Sequence, residues 1–268
     1  MPLAKTGASG EFCWGDKLIV MKVSIITAVF NREHFISDAI ESLQNQTHPE
    51  IEHVVIDGAS TDGTLELLRS RLDRNAVLVS EPDKGIYDAL NKGLVRATGE
   101  IIGLLHSDDL FANNLVLADV AKVFNDPAID AVYGDLQYVS KANTDNVIRH
   151  WVADEYSRNR LDWGWMPPHP ALFLRRSVIE HWGGFDTRFR IAADYDAILR
   201  YFGKGAIRSA YIPRVLVKMR VGGESNRSIA RVMRKSREDY RALKGNGVGG
   251  FGALVWKNVS KVGQFFRR

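Results

Sequence analysis

At about 150 residues per domain, the 268 residues suit one large domain or one domain with an appendage; 45% hydrophobic and 25% charged residues, with 23 Gly and 8 Pro, exclude disordered, collagenous and disulfide-scaffold classes. Cys13 is the sole cysteine, which rules out an internal disulfide, a cysteine zinc site and a cysteine redox pair and fits a reducing, cytosolic setting. The net charge of +4 hides an asymmetry: residues 204–268 hold 16 basic and 3 acidic side chains, whereas residues 1–203 hold 20 and 29, so a basic tail directed at an anionic surface follows an acidic body.

Residues 1–20 are small, polar and aperiodic, so 1–21 reads as a disordered extension with Met21 as the natural start. No basic-then-apolar signal peptide is visible there, and no apolar run in the chain reaches the roughly 18 residues of a membrane span. Four apolar, β-branched runs then recur at 23–29, 51–56, 76–79 and 101–105. Between them, Ile36, Ala39, Ile40 and Leu43, then Leu65, Leu68 and Leu72, then Ile86, Ala89, Leu90 and Ala97 keep the helical period. Strand, helix, strand, repeated, predicts an α/β fold with a mainly parallel central sheet, Rossmann-like, with helices on both faces and ligands at the carboxyl ends of the strands. Further on, the pattern predicts a helix over 113–124, a strand at 131–133, a polar stretch at 141–146, strands at 171–174 and 206–212, and a helix over 195–202 between those two. Two basic helices close the chain. The first aligns Ile229, Val232, Met233, Tyr240 and Leu243; the second aligns Phe251, Leu254, Val255, Val259, Val262, Phe265 and Phe266 opposite Lys257, Lys261 and Arg268. Such a helix either packs on the body or lies in the plane of an anionic membrane.

Carboxylates gather where the strands end. VIDGASTDGT (55–64) follows the second run, SEPDKG (80–85) the third and LLHSDD (104–109) the fourth. Asp57 is placed to accept hydrogen bonds from a base or ribose, and Asp62 to cap the next helix. Asp108 and Asp109 are neighbouring like charges after a buried strand, an arrangement that a shared divalent cation resolves; oxygen ligands select Mg²⁺ or Mn²⁺, which bridge carboxylates to nucleotide phosphates. Asp194, in RIAADYDAILR (190–200), suits both a helix cap and a general base.

Six segments, TAVFNR (27–32), DGASTDGT (57–64), DKGIYDALNKG (83–93), SDD (107–109), GGFD (183–186) and ADYD (193–196), occur in an order and spacing that resembles the family 2 glycosyltransferases of GT-A fold, especially the bacterial branch that builds surface polysaccharides and glycolipids. The resemblance runs from about residue 23 to 225. It implies a GT-A domain over 22–225, with a nucleotide-binding half at 22–110 and an acceptor half at 111–225, followed by a basic helical tail at 226–268. It further implies that Thr27, Phe30 and Asn31 line the nucleotide pocket, that Asp57 reads the base, usually uracil, and that Asp83 and Lys92 lie near the nucleoside. Asp108 and Asp109 would form the Asp-x-Asp type element, one at the ribose and one at the metal, with Asp109 the expected metal ligand. Asp194 matches the catalytic base. His106 departs from the pattern, standing where many members carry another acid.

Sugar transfer needs a neutralised diphosphate leaving group and a deprotonated acceptor hydroxyl, and single displacement then inverts the anomeric centre without a covalent intermediate. Trp163, Trp165 and His169, in WGWMPPHP (163–170), form either an acceptor wall or a buried aromatic corner. Arg220, in the glycine-hinged MRVGGES (219–225), grips the diphosphate from a flap or is plain surface basicity. The expected function is inverting, metal-dependent transfer from a nucleotide-sugar, a UDP-sugar first, to a glycan or lipid-linked acceptor, with the protein peripheral on the cytoplasmic face of a bacterial inner membrane through its tail. A sugar-phosphate nucleotidyltransferase is the first alternative, but TAVFNR carries no glycine to cradle phosphate. A non-catalytic module binding membrane or nucleic acid is the second; it explains the basic tail and leaves the carboxylates without a purpose, and no nucleic-acid partner is expected.

Overall fold

The computed structural model describes residues 20–205, 207–221, 229–250, 252–254 and 257. The first half follows the predicted alternation: β1 (Val23–Val29), α1 (Ile36–Gln44), β2 (Ile51–Asp57), α2 (Thr64–Arg71), β3 (Val77–Ser80), α3 (Ile86–Arg96) and β4 (Ile101–Leu104). These strands lie side by side in the order β3-β2-β1-β4, all parallel. Every residue of β1 is buried because helices cover both faces, which is why the strand reads as an uninterrupted apolar run. Ile36, Ala39, Ile40 and Leu43 of α1 bury one helical stripe on one side of the sheet, and Ala89, Leu90 and Gly93 of α3 do so on the other. At Gly93 the helix approaches β1 so closely that a Cβ would stand 2.4 Å from Ile26 Cγ2.

The second half continues the sheet with mixed pairing. It comprises β5 (Asp109–Phe111), α4 (Val116–Phe124), β6 (Ala131–Val139), β7 (Val147–Trp151), α5 (Arg158–Asp162), β8 (Leu172–Arg175), α6 (Arg176–Trp182), α7 (Ala193–Ile198), β9 (Ser209–Arg220) and α8 (Ile229–Asn246). The full order is β3-β2-β1-β4-β8-β6-β9-β5, with β7 on the free part of β6; β8 is antiparallel to both of its neighbours, and β6 and β9 run parallel. The α/β architecture with helices around a mainly parallel sheet therefore holds.

Several elements exceed or escape the periodicity. β6 reaches Val139 and β9 reaches Arg220, well past the predicted 131–133 and 206–212, because long pairing between β6 and β9 outweighs the polar residues within them. The short β5, β7, α5 and α6 carry too few residues to show a period. The helix predicted at 195–202 splits into α7 and a π-helical turn over Leu199–Lys204.

The tail requires a correction. In α8 the expected apolar face is only partly packed: Leu243 is buried together with Asp239, Ala242 and Asn246, whereas Met233 and Tyr240 are exposed. Polar partners decide this face, since Asp239 pairs with Lys257 at 3.0 Å and Asn246 Nδ2 donates to Asp196 Oδ1 at 2.8 Å. Lys257, expected on the solvated side, is buried with its ammonium over the Tyr195 ring. Leu254 of the second basic helix packs against the body beside the buried Ala253, whereas Phe251, Val255, Val259, Lys261, Val262, Phe265, Phe266 and Arg268, and residues 1–19, lie outside the described residues. Met21 is buried, and its carbonyl lies 2.8 Å from His48 Nε2.

Candidate active site

The loops after β1 and β2 interlock at one end of the sheet. Asn31 and Ala59 both adopt left-handed backbone conformations, φ 52° and 61°, which cost non-glycine residues about 1–3 kcal/mol each and persist only where surroundings enforce them. Here Asn31 Oδ1 accepts the Thr61 amide at 2.9 Å, and the Asn31 amide donates to Ser60 Oγ at 2.9 Å. Phe30 projects at the rim, 54% exposed. Asp57 lies beneath this rim, fully buried, accepting the hydroxyls of Ser60 at 2.5 Å and Ser80 at 2.6 Å and the Ser60 amide. It thus ties β2 to β3 from below. Asp62 accepts the Thr64 amide at the first turn of α2, the expected structural role. Thr27 does not reach the rim: it is buried within β1 with its hydroxyl 3.0 Å from His53 Nε2.

After β3, the half-buried Asp83 accepts the Gly85 amide at 2.7 Å, and its other oxygen passes so close to Gly58 that a Cβ there would stand 2.3 Å away. The second loop thus meets the third only because residue 58 lacks a side chain. Lys92 is anchored by Glu81 at 3.0 Å and the Pro82 carbonyl at 2.8 Å, which makes it a brace for the loop that carries Asp83.

After β4 the two adjacent aspartates part. Asp109 starts β5, only 1% exposed, with Oδ2 lacking a hydrogen-bond partner among the described residues. Burial and the charge of Asp108 push its carboxyl well above the ordinary value, against the pull of Arg220. Arg220 is not a surface cation, and residues 222–225 of the expected flap lie outside the described residues. Arg220 ends β9, buried, donating to Asp38 Oδ2 at 2.5 Å and to the Asp108 carbonyl at 3.0 Å. Asp108 is half-buried, faces the His106 ring closely enough to favour its protonated form, and has no hydrogen bond or ion pair on its carboxylate among the described residues. Asp109 is therefore buried, while Asp108 keeps a partly exposed carboxylate.

Across the cleft, Asp194 lies in the first turn of α7, its side chain 19% exposed. Tyr87 donates to Oδ1 at 3.0 Å and His169 Nδ1 stands 3.1 Å from Oδ2. Burial pushes the carboxyl up, but the charges of His169 and Lys257 and the Tyr87 hydroxyl outweigh it and hold Asp194 below the ordinary value. The far nitrogen of His169 faces His106 Nε2 at 3.3 Å, and burial with the His169 charge drives His106 down to about 4. An unbroken chain of contacts, Tyr87 to Asp194 to His169 to His106, thus joins the base candidate to the loop of Asp108. Sequence reasoning had noted His106 and His169 separately and missed their pairing.

It also missed Glu238. From α8, Glu238 Oε2 accepts the amides of Arg190, Ile191 and Ala192 at 3.1, 2.8 and 3.1 Å, which holds the entrance to α7 just before Asp194. Only the capping logic of a carboxylate before a helix offers a signal for it, and Glu238 lies some 45 residues from the helix it serves. Of the three proposed acceptor contacts, Trp163 is 61% exposed, while Trp165 takes the buried-corner alternative, packed between Tyr133, Tyr156 and Phe202 with Nε1 on the Ala153 carbonyl at 2.6 Å.

With this geometry in place, comparison with known sequences decides the family. The profile described as Glycosyl transferase family 2 matches residues 24–183. The chain belongs to that family. Among its relatives, a PGL/p-HBAD biosynthesis glycosyltransferase of Mycobacterium tuberculosis is 31% identical over 209 residues, covering 76% of this chain and 78% of the relative. An uncharacterized glycosyltransferase of the same species is 30% identical over 194 residues, 66% and 68% of the two chains. Among solved structures, Staphylococcus aureus TarS 1-349 in complex with UDP-GlcNAc superposes with a TM-score of 0.66 at 21% identity, over 84% of this chain and 65% of TarS 1-349. A mannosyltransferase of Pyrobaculum calidifontis in complex with GDP-Man and Mn²⁺ gives 0.62 at 24% identity, over 84% and 64%. The chain spans just under two thirds of these two structural neighbours, and the likeness to them is one of fold, GT-A. The family match ends before α7, so Asp194 and α8 of this glycosyltransferase lie beyond it.

Proposed function

We propose that this glycosyltransferase moves a sugar from a nucleotide-sugar donor, UDP-linked, to a hydroxyl of a glycan or lipid-linked acceptor by single displacement with inversion. The observation that carries the reading is the opposition of two carboxylates, Asp108 after β4 and Asp194 on α7, bridged by the two histidines. One sits where a diphosphate would be held and the other where a nucleophile would be deprotonated. The donor class is supported by the UDP-GlcNAc and GDP-Man complexes of the two structural neighbours, and the acceptor class by the PGL/p-HBAD biosynthesis of the mycobacterial relative.

Asn31, Asp83 and the Phe30 ring are the nucleoside contacts in this reading, with Asp57 and Lys92 holding their loops. A divalent cation fits the residues present: Asp108 offers a half-exposed carboxylate with no partner among the described residues, and Mg²⁺ and Mn²⁺ are commonly held by one or two carboxylates completed by substrate phosphates. Asp108 would hold it, and the cation would neutralise charge that develops on the diphosphate. Asp194 takes the acceptor proton as the new glycosidic bond forms; its low pKa keeps it ionised, and ready to accept, at neutral pH. His169 and Trp163 border the acceptor side. A membrane role for the tail rests on Lys261, Arg267 and Arg268, outside the described residues.

The test is nucleotide release across a panel of UDP- and GDP-sugars, with Mn²⁺ or with EDTA, in a membrane extract of the source cells that supplies acceptors. Cation-dependent release from one donor supports the reading. Release from none, or release insensitive to EDTA, contradicts it.

A further inference from the structure

Asp194 has both carboxylate oxygens engaged before any substrate arrives, and the partners differ in kind. Tyr87, on α3, splits its proton between Asp194 Oδ1 and the Ile191 carbonyl at 2.7 Å, so it serves the loop as much as the acid. His169 stands between Pro168 and Pro170, whose rings fix their own φ angles, and it contacts Asp194 Oδ2 through Nδ1 and His106 through Nε2. A carboxylate accepts only, so Nδ1 carries the proton that faces Asp194. The other nitrogen, Nε2, faces His106 Nε2, so the ring is held from both ends.

We propose that His169 is the positioning residue of the base, its Nδ1–H fixing the direction in which Asp194 meets the acceptor hydroxyl. This rests on the reading of Asp194 as the base. In the transfer, the acceptor O–H bond breaks as its oxygen bonds to the anomeric carbon, the proton goes to Asp194, and the bond from that carbon to the diphosphate breaks with its electron pair leaving on phosphate. His169 keeps its own proton throughout and steadies the carboxylate by a charge-assisted hydrogen bond. The charged and titratable groups that face Asp194 are Tyr87 from α3, His106 after β4, Tyr138 from β6, His169 before β8 and Lys257 after α8. Of these, Tyr87 and His169 lie within hydrogen-bond distance of its carboxylate oxygens.

The experiment is NMR on the full chain, with ¹⁵N-labelled histidine to read tautomers and ¹³C-labelled aspartate to titrate Asp194, in the native protein and in His169→Leu and His169→Asn. Asn carries an amide N–H near the place of Nδ1. The expected result is a protonated Nδ1 at His169, an Asp194 titration that moves to higher pH in His169→Leu, and a return toward the native midpoint in His169→Asn. With a donor from the panel, turnover of His169→Leu falls about 10- to 100-fold, the usual cost of losing a partner that orients a functional ligand, with the donor KM unchanged. An Nε2–H tautomer, or an Asp194 midpoint indifferent to both substitutions, overturns the proposal. Full turnover by Asp194→Asn overturns the base and the proposal together, whereas an inactive Asp194→Asn beside an unmoved midpoint in His169→Leu overturns the proposal alone.

Discussion

The two sides of the cleft are built by different means. On the donor side each residue follows its own strand within a few positions: Asn31 after β1, Asp57 at the end of β2, Asp83 after β3 and Asp108 after β4. Their placement is a consequence of parallel βαβ units, which deliver strand ends to one edge. On the acceptor side a single carboxylate, Asp194, depends on Tyr87, His169, Glu238 and Lys257, drawn from segments spread between residues 87 and 257. In the proposed reading, local topology thus sets the binding side and long-range contacts set the reacting side. It follows that distant substitutions should disturb turnover more readily than nucleotide binding.

Four predictions bear on that contrast, in order of expected size. Asp194→Asn should reduce transfer by at least about 100-fold, the scale of general base catalysis, while UDP affinity measured by calorimetry stays at the native value. A parallel loss of affinity would erase the division between the two sides. Glu52, far from the cleft, holds the donor half together by accepting from Lys22, Ser24 and Thr98; burial pushes its carboxyl up, yet these donors bring it down to about 2 from 4.5. Because the folded value is depressed, its contribution, about 2–3 kcal/mol at neutral pH, is present above pH 4.5 and is lost as pH falls toward 2. Glu52→Gln should accordingly flatten the acid limb of a urea-midpoint profile without changing turnover at neutral pH.

Glu238→Ala removes three charge-assisted bonds ahead of α7 and should cost about 1–3 kcal/mol in urea unfolding, together with a fall in turnover at unchanged UDP affinity. Equal turnover would show that α8 only packs. Gly93→Ala forces a methyl toward Ile26; overpacking of about 1–3 kcal/mol, partly offset by roughly 1 kcal/mol of helix propensity, leaves a small net loss of stability and native kinetics. A kinetic defect in that variant would mean that the α3 and β1 contact sets the site as well as the fold.

The same contrast explains what was legible in the sequence. The apolar runs of β1, β2, β3 and β4 and the stripes of α1 and α3 are short-range signals, as are the carboxylates that follow each strand. The sequence does not separate the burial of Asp108 from that of Asp109, because two adjacent positions carry identical chemistry and their directions depend on the pairing of β5 with β9, whose far end carries Arg220. Trp165 and Thr27 look like site residues by type, but contacts with Ala153 and His53, remote in sequence, draw them inward. Glu238 and the His106 and His169 pair are invisible to periodicity, since their partners lie 46 to 63 residues away. In α8 the apolar stripe misleads because Asp239 and Asn246 find buried partners.

The account turns on Asp108 holding a cation where a diphosphate binds, with the adjacent Asp109 buried. Calorimetric titration of UDP into the native protein, Asp108→Ala and Asp109→Asn, each with Mn²⁺ and with EDTA, tests this directly. The expected result is UDP binding strengthened by Mn²⁺ in the native protein, a loss of that strengthening in Asp108→Ala, and its retention in weakened form in Asp109→Asn. Equal affinity with Mn²⁺ and EDTA in the native protein, or strengthening that survives Asp108→Ala, would contradict it.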